Sequence, residues 1–220
     1  MLIQRDASPS TPGLEALKAR LSAISLHFVP RRPVRGARYA WCYWNVRDHV
    51  TQFGGQIRYG WLITEFKSLM LLAWHHAVWQ RRDGMLLDIS PHGTCGFDEG
   101  ITAFLEDPIQ TYDLSWPPAH AQQFEPLVSD PRLDDFIHAY QALFALQSDY
   151  LERQRAVPGV FCDVYSGNLR VQGPKEGAKL RELESIWKPK IDAADAKRAL
   201  FRDGLLACQS ERLKQSSPLP

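Results

Sequence analysis

The sequence has few cysteines and no long apolar run, and each absence excludes a class of protein. Four cysteines lie far apart among 220 residues and form no CxxC pair, so we expect neither a disulfide scaffold nor a zinc knuckle. The longest apolar stretch, Leu69–Trp74, is far shorter than the roughly 20 residues of a membrane span. The first residues lack the apolar core of a secretory signal. These absences predict a soluble, cytoplasmic protein with reduced thiols.

The sequence also lacks a charge excess and the common nucleotide and zinc motifs. Lys and Arg number 26 and Asp and Glu 25, a net charge of +1, which argues against nucleic acid or a membrane surface as the partner. We interpret the basic cluster at residues 31–38 as a solvated connecting segment. No Walker A, GxGxxG, HExxH or GxSxG pattern occurs. The prediction is therefore a protein without a cofactor or a metal.

The first half of the chain predicts helices followed by antiparallel strands. A helix from Thr11 carries an apolar stripe as far as Ile24, and a second helix starts near Cys42 and stops at Gly54-Gly55. Strand-like runs then cover residues 57–64, 69–80 and 85–89. The turn Arg82-Asp83-Gly84 is typical of a hairpin between the last two runs. This order of elements predicts an α+β fold.

The second half predicts mainly helix. Residues 107–131 carry five prolines and are expected to form an irregular connection. Leu133–Arg155 has the apolar spacing of an amphipathic helix. Val157–Val171 is expected to form a short hairpin, with its turn at residues 166–168. A last helical region covers Lys175–Lys214, and Pro189 should kink or split it.

One constellation could carry chemistry. Cys42 lies at the start of a helix, where the helix dipole stabilises a thiolate and the unpaired N–H groups of the first turn can hold an oxyanion. His76 lies on a strand and Asp88 on the next strand. A hairpin closed at residues 83–84 would put Trp79 opposite Leu87 or Asp88, with His76 slightly further along. A histidine oriented by a carboxylate beside a thiol is the arrangement of an activated nucleophile.

Residues 42–91 also carry a series of short motifs in a distinctive order. The series is Cys42-Tyr43-Trp44-Asn45-Val46, Gly54-Gly55, Tyr59-Gly60-Trp61, His76-Ala77-Val78-Trp79 and Asp88-Ile89-Ser90-Pro91. It resembles the core of the transglutaminase-like branch of papain-like thiol enzymes, and in particular a group of uncharacterised bacterial proteins. The resemblance implies a helix that packs on an antiparallel sheet. Together with the Ser- and Pro-rich start of the chain and the helical pattern of its second half, it predicts a flexible tail at residues 1–12, a transglutaminase-like core at 13–130 and a mainly helical C-terminal extension at 131–215.

The resemblance also implies roles for individual residues. Cys42 would be the nucleophile, His76 the general base and then acid, and Asp88 the group that orients the histidine. His75 leaves the choice of base open, because neighbouring strand residues face opposite sides. No glutamine precedes Cys42 closely as an oxyanion donor. The candidates for the pocket or the oxyanion donor are His75, Asn45, Trp44, Gln56 and Trp61.

Three functions remain open at this point. The leading one is a cysteine-dependent hydrolase or acyltransferase (an amidase, deamidase, peptidase or transglutaminase-like enzyme) that acts on a protein, a peptide or a small amide. The second is a non-catalytic module that keeps the fold in order to bind a protein or a peptide. The third is metal binding through His75, His76 and Asp88. The sequence leaves the substrate and the oligomeric state open.

Overall fold

The computed structural model describes residues 4–92, 100–108, 111–163 and 168–215, and the chain divides into two units. The first unit contains residues 3–112 together with residues 122–128. The second contains residues 113–121 and the chain from residue 129 onward. The candidate chemistry lies entirely in the first unit.

The first unit combines two helices with the strands of one sheet. Its helices and strands, within the described residues, are β1 (Gln4–Asp6), α1 (Leu14–Arg20), β2 (Leu26–Arg31), α2 (Cys42–Phe53), β3 (Gln56–Phe66), β4 (Met70–Gln80), β5 (Leu86–Leu87), β6 (Gly100–Glu106) and β7 (Gln123–Pro126).

The sheet has the strand order β2-β6-β3-β4-β5, and all its strand pairs are antiparallel. β1 pairs with β3, and β7 with β4. A parallel bridge joins Arg31 to Asp88. Asp88 N–H also donates to Pro30 O at 3.0 Å, and Arg32 N–H donates to Asp88 O at 2.7 Å. These bonds connect the two outer strands, β2 and β5, so that the sheet closes on itself and Asp88 lies beside β2.

Two glycines end α2 and bring it against β4. Gly54 and Gly55 have φ values of 75° and 91°, a backbone region that glycine occupies at little cost. A Cβ atom on Gly55 would lie 2.3 Å from Gln80 O, so this approach needs glycine for its space as well. Trp79 Nε1 donates to Gly54 O at 2.9 Å. The C-terminal end of α2 is thereby fixed against β4.

Apolar side chains from α1 and from one face of the sheet form the main core of the first unit. α1 contributes Leu14 and Leu17, which are buried under the sheet because they fall on one side of the helix. The buried members are Ala7, Leu14, Leu17, Trp61, Ile63, Leu71, Ala73, Ala103 and Leu105. A smaller cluster of Val29, Val78 and Phe104 lies on the other face. β3 and β4 are therefore packed on both faces, which gives the site a rigid support.

The second unit contains two long helices and a hairpin. Its described elements are α3 (Pro131–Arg155), β8 (Val160–Asp163), β9 (Asn168–Val171) and α4 (Pro174–Gln215). Asp130 caps α3 by accepting from Arg132 N–H at 3.0 Å, and Pro131 occupies the first turn. The buried core of the hairpin region is Trp116, Val157, Val160 and Cys162.

Several expectations are confirmed. The molecule is α+β, with an antiparallel sheet and a helical C-terminal region. The hairpin at Asp83-Gly84 is present, and Trp79 lies opposite Leu87. α2 runs from Cys42 to Phe53, and the helix at 133–155 begins only two residues earlier than predicted, at Pro131. Residues 166 and 167 of the predicted turn lie outside the described residues.

Other expectations are wrong, and in each case a contact distant in sequence is the reason. The first helix ends at Arg20, and Leu26–Arg31 forms β2 because β6 supplies its hydrogen-bonding partner. Residues 4–6, within the expected flexible tail, form β1 on β3. β7 interrupts the connection at 107–131. Arg31, placed in a solvated segment, is only 3% exposed.

The prediction for the last helix allowed either a kink or a split at Pro189, and the split does not occur. α4 continues through Pro189 and is not split there. A proline inside a helix removes one backbone hydrogen bond and crowds the preceding turn. Packing of α4 against α3 supplies stability that the local sequence does not, as tertiary contacts commonly do for helices.

Candidate active site

Cys42 is the first residue of α2 and is nearly buried. It exposes 8% of its surface. Trp41 precedes it, and the carbonyl of Trp41 accepts from Asn45 N–H at 2.9 Å in the first hydrogen bond of the helix. The backbone N–H groups of a first turn have no partner within their own helix. The cysteine is thus presented together with potential oxyanion donors.

His76 lies on β4, opposite Gly60 of β3, and is 7% exposed. Its Nε2 atom is 3.1 Å from Asp88 Oδ1. This contact lies off the direction of the ring N–H, so that Nε2 has no well-aligned hydrogen-bond partner among the described residues. Asp88 and, after it, Cys42 both raise the pKa of His76, so the thiol lies near the ring. His76 therefore stands between the thiol and the carboxylate.

Opposing effects act on the pKa of His76 and of Asp88. Burial by itself lowers the pKa of His76, but the electrostatic effects of Asp88 and then of Cys42 raise it to about 10. Burial by itself raises the pKa of Asp88, but the charge of His76 and the hydrogen bond from His92 hold it well below its usual range. An imidazolium next to a carboxylate is consequently the stable pair at neutral pH.

Asp88 is fully buried and its carboxylate is saturated with donors. Oδ1 accepts from Ser90 N–H at 3.1 Å. Oδ2 accepts from Thr102 Oγ1 at 2.8 Å and from His92 Nε2 at 2.6 Å. A buried carboxylate stays ionised only where hydrogen bonds and opposite charge replace water. These donors leave Oδ1 as the oxygen that faces His76.

His92 and Arg31 also belong to the group of side chains around Asp88. Neither is among the site residues that the sequence predicts. His92 Nδ1 accepts from the guanidinium of Arg31, and Arg31 also pairs with Asp6, Nη2 to Oδ2, at 2.7 Å. The available signal for His92 was weak: it follows the Asp88–Pro91 motif directly, four residues after the aspartate. Arg31 and Asp6 are brought in only by the pairing of distant strands.

His75 belongs to a separate, aromatic cluster. Tyr43 Oη lies 2.5 Å from His75 Nδ1, and Tyr112 Oη lies 3.2 Å from His75 Nε2. Asp107 Oδ2 is 3.5 Å from the same Nε2. Burial raises the pKa of the Tyr43 phenol far above its usual range, and the charges of Cys42, Tyr112, Tyr59 and Asp107 add to this. Both nitrogens of His75 are thus engaged by phenols, away from Asp88.

The remaining candidates have packing and tethering contacts. Asn45 Nδ2 donates to Arg38 O at 2.8 Å and to Ser90 Oγ at 3.1 Å, and so ties α2 to the segments before it and after β5. Trp44 is buried and its ring packs on that of Trp41, with centroids 4.8 Å apart.

Trp61 and Gln56 lie on β3. Trp61 lies opposite His75, and the two rings meet edge to face at 4.9 Å. Gln56 is exposed and lies opposite Gln80, four residues along β3 from the partner of His76. At about 3.3 Å per residue this is roughly 13 Å, so Gln56 is not brought to the trio.

A metal could be held by His76, Asp88 and His92, whose ligand atoms lie within 4.8 Å of one another. His75 is not part of that group. The contact with Arg31 disfavours a metal there, because a guanidinium can only donate. His92 Nδ1 must then be the acceptor and Nε2 the protonated nitrogen, which has no lone pair to offer.

Comparisons with known proteins give no information about the role of this site. Neither the family models, nor the curated proteins, nor the solved structures include a match to this chain. Among the described residues, no helix combines the length and the apolar character that crossing a bilayer demands.

The arrangement of Cys42, His76 and Asp88 has a definite chemical capability. A neutral His76 ring can accept the thiol proton, and the imidazolium that results stabilises the thiolate, which is the nucleophilic form of cysteine. The same imidazolium can return a proton to a leaving group. The trio can therefore support nucleophilic attack on an acyl carbon.

Proposed function

We propose that this protein is a cysteine-dependent hydrolase or acyltransferase with a transglutaminase-like core, in which Cys42, His76 and Asp88 act on an amide or a related acyl group. The observation that carries the proposal is the position of His76, whose Nε2 lies 3.1 Å from Asp88 Oδ1 and whose ring is near enough to Cys42 for the thiol to affect its pKa. The helix-start cysteine and the antiparallel sheet are consistent with the resemblance in residues 42–91.

The reaction would proceed in two halves. The Cys42 thiolate attacks the acyl carbon, and first-turn N–H groups hold the oxyanion. The bond from carbon to the leaving nitrogen breaks as the His76 imidazolium gives that nitrogen a proton, which leaves a thioester on Cys42. Water or an amine then attacks the thioester and gives a proton to His76. Cleavage of the carbon–sulfur bond releases the acid or the new amide and restores the thiolate.

The first experiment compares two cysteines of equal burial in the same protein. Cys42 and Cys162 are 8% and 7% exposed, but burial and the charge of Asp163 raise the pKa of Cys162. Iodoacetamide labelling, followed at each cysteine by peptide mass spectrometry, should therefore proceed faster at Cys42 than at Cys162 at pH 6, since the thiolate is the form that reacts.

His76→Gln is the matched variant, because it keeps a polar side chain and removes the base. It should eliminate the advantage of Cys42 over Cys162. An unmodified protein in which Cys42 reacts no faster than Cys162, or no faster than glutathione at pH 7, would contradict the proposal. Acylation of Cys42 by a panel of amides and activated esters, read as intact mass, then identifies the acyl group.

The small exposure of Cys42, 8%, favours a second candidate: a non-catalytic module that binds a protein or a peptide. A buried thiol admits only a narrow substrate, whereas a binding surface needs no access to sulfur. This candidate predicts that no acyl donor labels Cys42 and that Cys42→Ala retains binding to a peptide array. Labelling by iodoacetamide but not by a bulky maleimide would instead indicate a narrow but reactive site.

A further inference from the structure

We propose that His92 and Arg31 are positioning residues of this site, which keep Asp88 ionised and aimed at His76. The proposal rests on the proposed function, because it concerns the same trio. It extends that trio through a line of contacts from Cys42 and His76 to Asp88, His92 and Arg31.

Arg31 determines which nitrogen of His92 carries the proton. The guanidinium has donors only and contacts His92 Nδ1. Nδ1 must therefore accept, and in the neutral ring the proton is on Nε2. That nitrogen lies 2.6 Å from Asp88 Oδ2, a short bond of the kind formed with an ionised acceptor. One donor contact thus fixes the tautomer that donates to the carboxylate.

The fold holds Arg31 in place for this contact. Arg31 ends β2, and its backbone forms the bridge to Asp88 that closes the sheet. A Cβ atom on Gly100 would lie 2.5 Å from Arg31 Nη2, so glycine at that position leaves the space for the guanidinium. The guanidinium is buried and the neighbouring glycine leaves room for it. The contact between Arg31 and His92 is therefore part of the packed interior and not a surface ion pair.

Asp6 balances the charge of Arg31. Its Oδ2 atom is 2.7 Å from Arg31 Nη2, and its side chain remains 39% exposed. Negative and positive charges alternate along the line from Asp6 through Arg31 and Asp88 to His76. His92 lies between Arg31 and Asp88. Without Asp6 the buried cation would compete with His76 for the Asp88 carboxylate. β1 therefore contributes a counter-ion.

Thr102 and Ser90 complete the orientation of Asp88. They donate to Oδ2 and Oδ1 at 2.8 Å and 3.1 Å. Neither can fix a tautomer or carry charge. The role that we assign to His92 and Arg31 therefore differs from the role of Thr102 Oγ1 and Ser90 N–H. It can be tested separately.

The test measures the titration of His76 together with the reactivity of Cys42. Histidine side chains are labelled with 15N in the full chain, the His76 resonances are assigned with His76→Gln, and their midpoint is followed against pH. In His92→Leu we expect the midpoint to fall by about one pH unit or more, since the carboxylate loses a charge-assisted hydrogen bond. Alkylation of Cys42 at pH 6 should fall about tenfold.

His92→Gln is the matched control, because its amide keeps one donor and one acceptor at a similar separation. It should retain most of the wild-type midpoint and reactivity. Arg31→Met is the second variant. It leaves His92 in place but removes the donor that fixes the tautomer, so it should shift the His76 midpoint and lower the reactivity of Cys42, and it decides the question if His92→Leu does not fold.

Two results would overturn this proposal, and another would overturn the proposed function alone. An unchanged His76 midpoint in both His92→Leu and Arg31→Met excludes a positioning role and leaves the proposed function standing. An unreactive Cys42 in the wild type excludes the proposed function, and the midpoint comparison still decides whether His92 and Arg31 act on Asp88. A Co²⁺ spectrum that appears in the wild type and is lost in His92→Leu and Asp88→Asn makes these side chains metal ligands instead.

Discussion

Replacement of Asp88 by asparagine is the sharpest test of the charged core of this site. Asparagine has nearly the same size, so the substitution removes the charge without leaving a cavity. Asp88 is 0% exposed and accepts from Ser90, Thr102 and His92. One amide nitrogen of the variant must then face one of these donors or His76. The variant therefore loses an ion pair. In addition, two hydrogen-bond donors face each other in a buried position, and neither has an acceptor.

The structure sets the expected magnitude. Removal of one member of a buried ion pair costs about 3 to 5 kcal/mol. We therefore expect Asp88→Asn to lower the free energy of unfolding by about 3 to 5 kcal/mol near pH 6.

The pH dependence provides the signature of the pair. Because the pKa of folded His76 is raised, its contribution is complete below about pH 6.5 and is lost as the pH rises through about 10. Because the pKa of folded Asp88 is lowered, its contribution is complete above its unfolded value and is lost as the pH falls below it. The deficit of the variant should therefore be largest at about pH 5 to 6 and shrink steadily towards pH 10.

Urea unfolding at a series of pH values measures this deficit directly. Asp48→Asn is the control, since Asp48 lies on α2 in the same unit, with a side chain 57% exposed that pairs with Arg47. It should change stability by no more than about 0.5 kcal/mol. A deficit for Asp88→Asn below about 1 kcal/mol, or one that is the same at pH 6 and pH 9, would refute a buried Asp88–His76 ion pair.

Two further predictions concern the surroundings of the trio. Tyr43→Phe leaves buried His75 Nδ1 without the hydroxyl at 2.5 Å, so it should cost about 1 to 3 kcal/mol of unfolding free energy and leave the pH profile of Cys42 alkylation unchanged; an altered profile would mean that His75 takes part in activating the thiol. Gly55→Ala should cost at least about 1 kcal/mol, because its Cβ would lie 2.3 Å from Gln80 O. Gly36 has a similar φ but open space around it, so Gly36→Ala serves as the control. If a thermal melt shows equal loss of stability in the two variants, backbone strain and not lack of space causes the loss.

The choice between His75 and His76 shows where sequence reasoning reached its limit. Adjacent residues on a strand face opposite sides, so the sequence shows that only one of the two can face a given partner. It does not show which side of β4 faces the residues after β5. That depends on the closure of the sheet through the bridge between Arg31 and Asp88, which is a contact between residues 57 positions apart.

The hairpin and the helix of the site, in contrast, are local features. Asp83-Gly84 specifies a tight turn, and the turn sets Trp79 opposite Leu87. The Gly54-Gly55 pair ends α2 because glycine accepts positive φ values. Such features depend on residues that are neighbours in the chain, so propensity and spacing are sufficient to predict them.

Local sequence alone therefore determined that Cys42 begins a helix, that His76 lies on a strand and that Asp88 follows the next turn. Only the tertiary structure decided that these three side chains come together. It also decided that His75 contacts Tyr43 and Tyr112 instead, that His92 contacts Asp88 and that Arg31 contacts His92. The physical reason is the range of the interactions. Turns and helix ends are stabilised within a few residues, whereas the partners of a buried carboxylate come from whichever strands the closed sheet brings beside it.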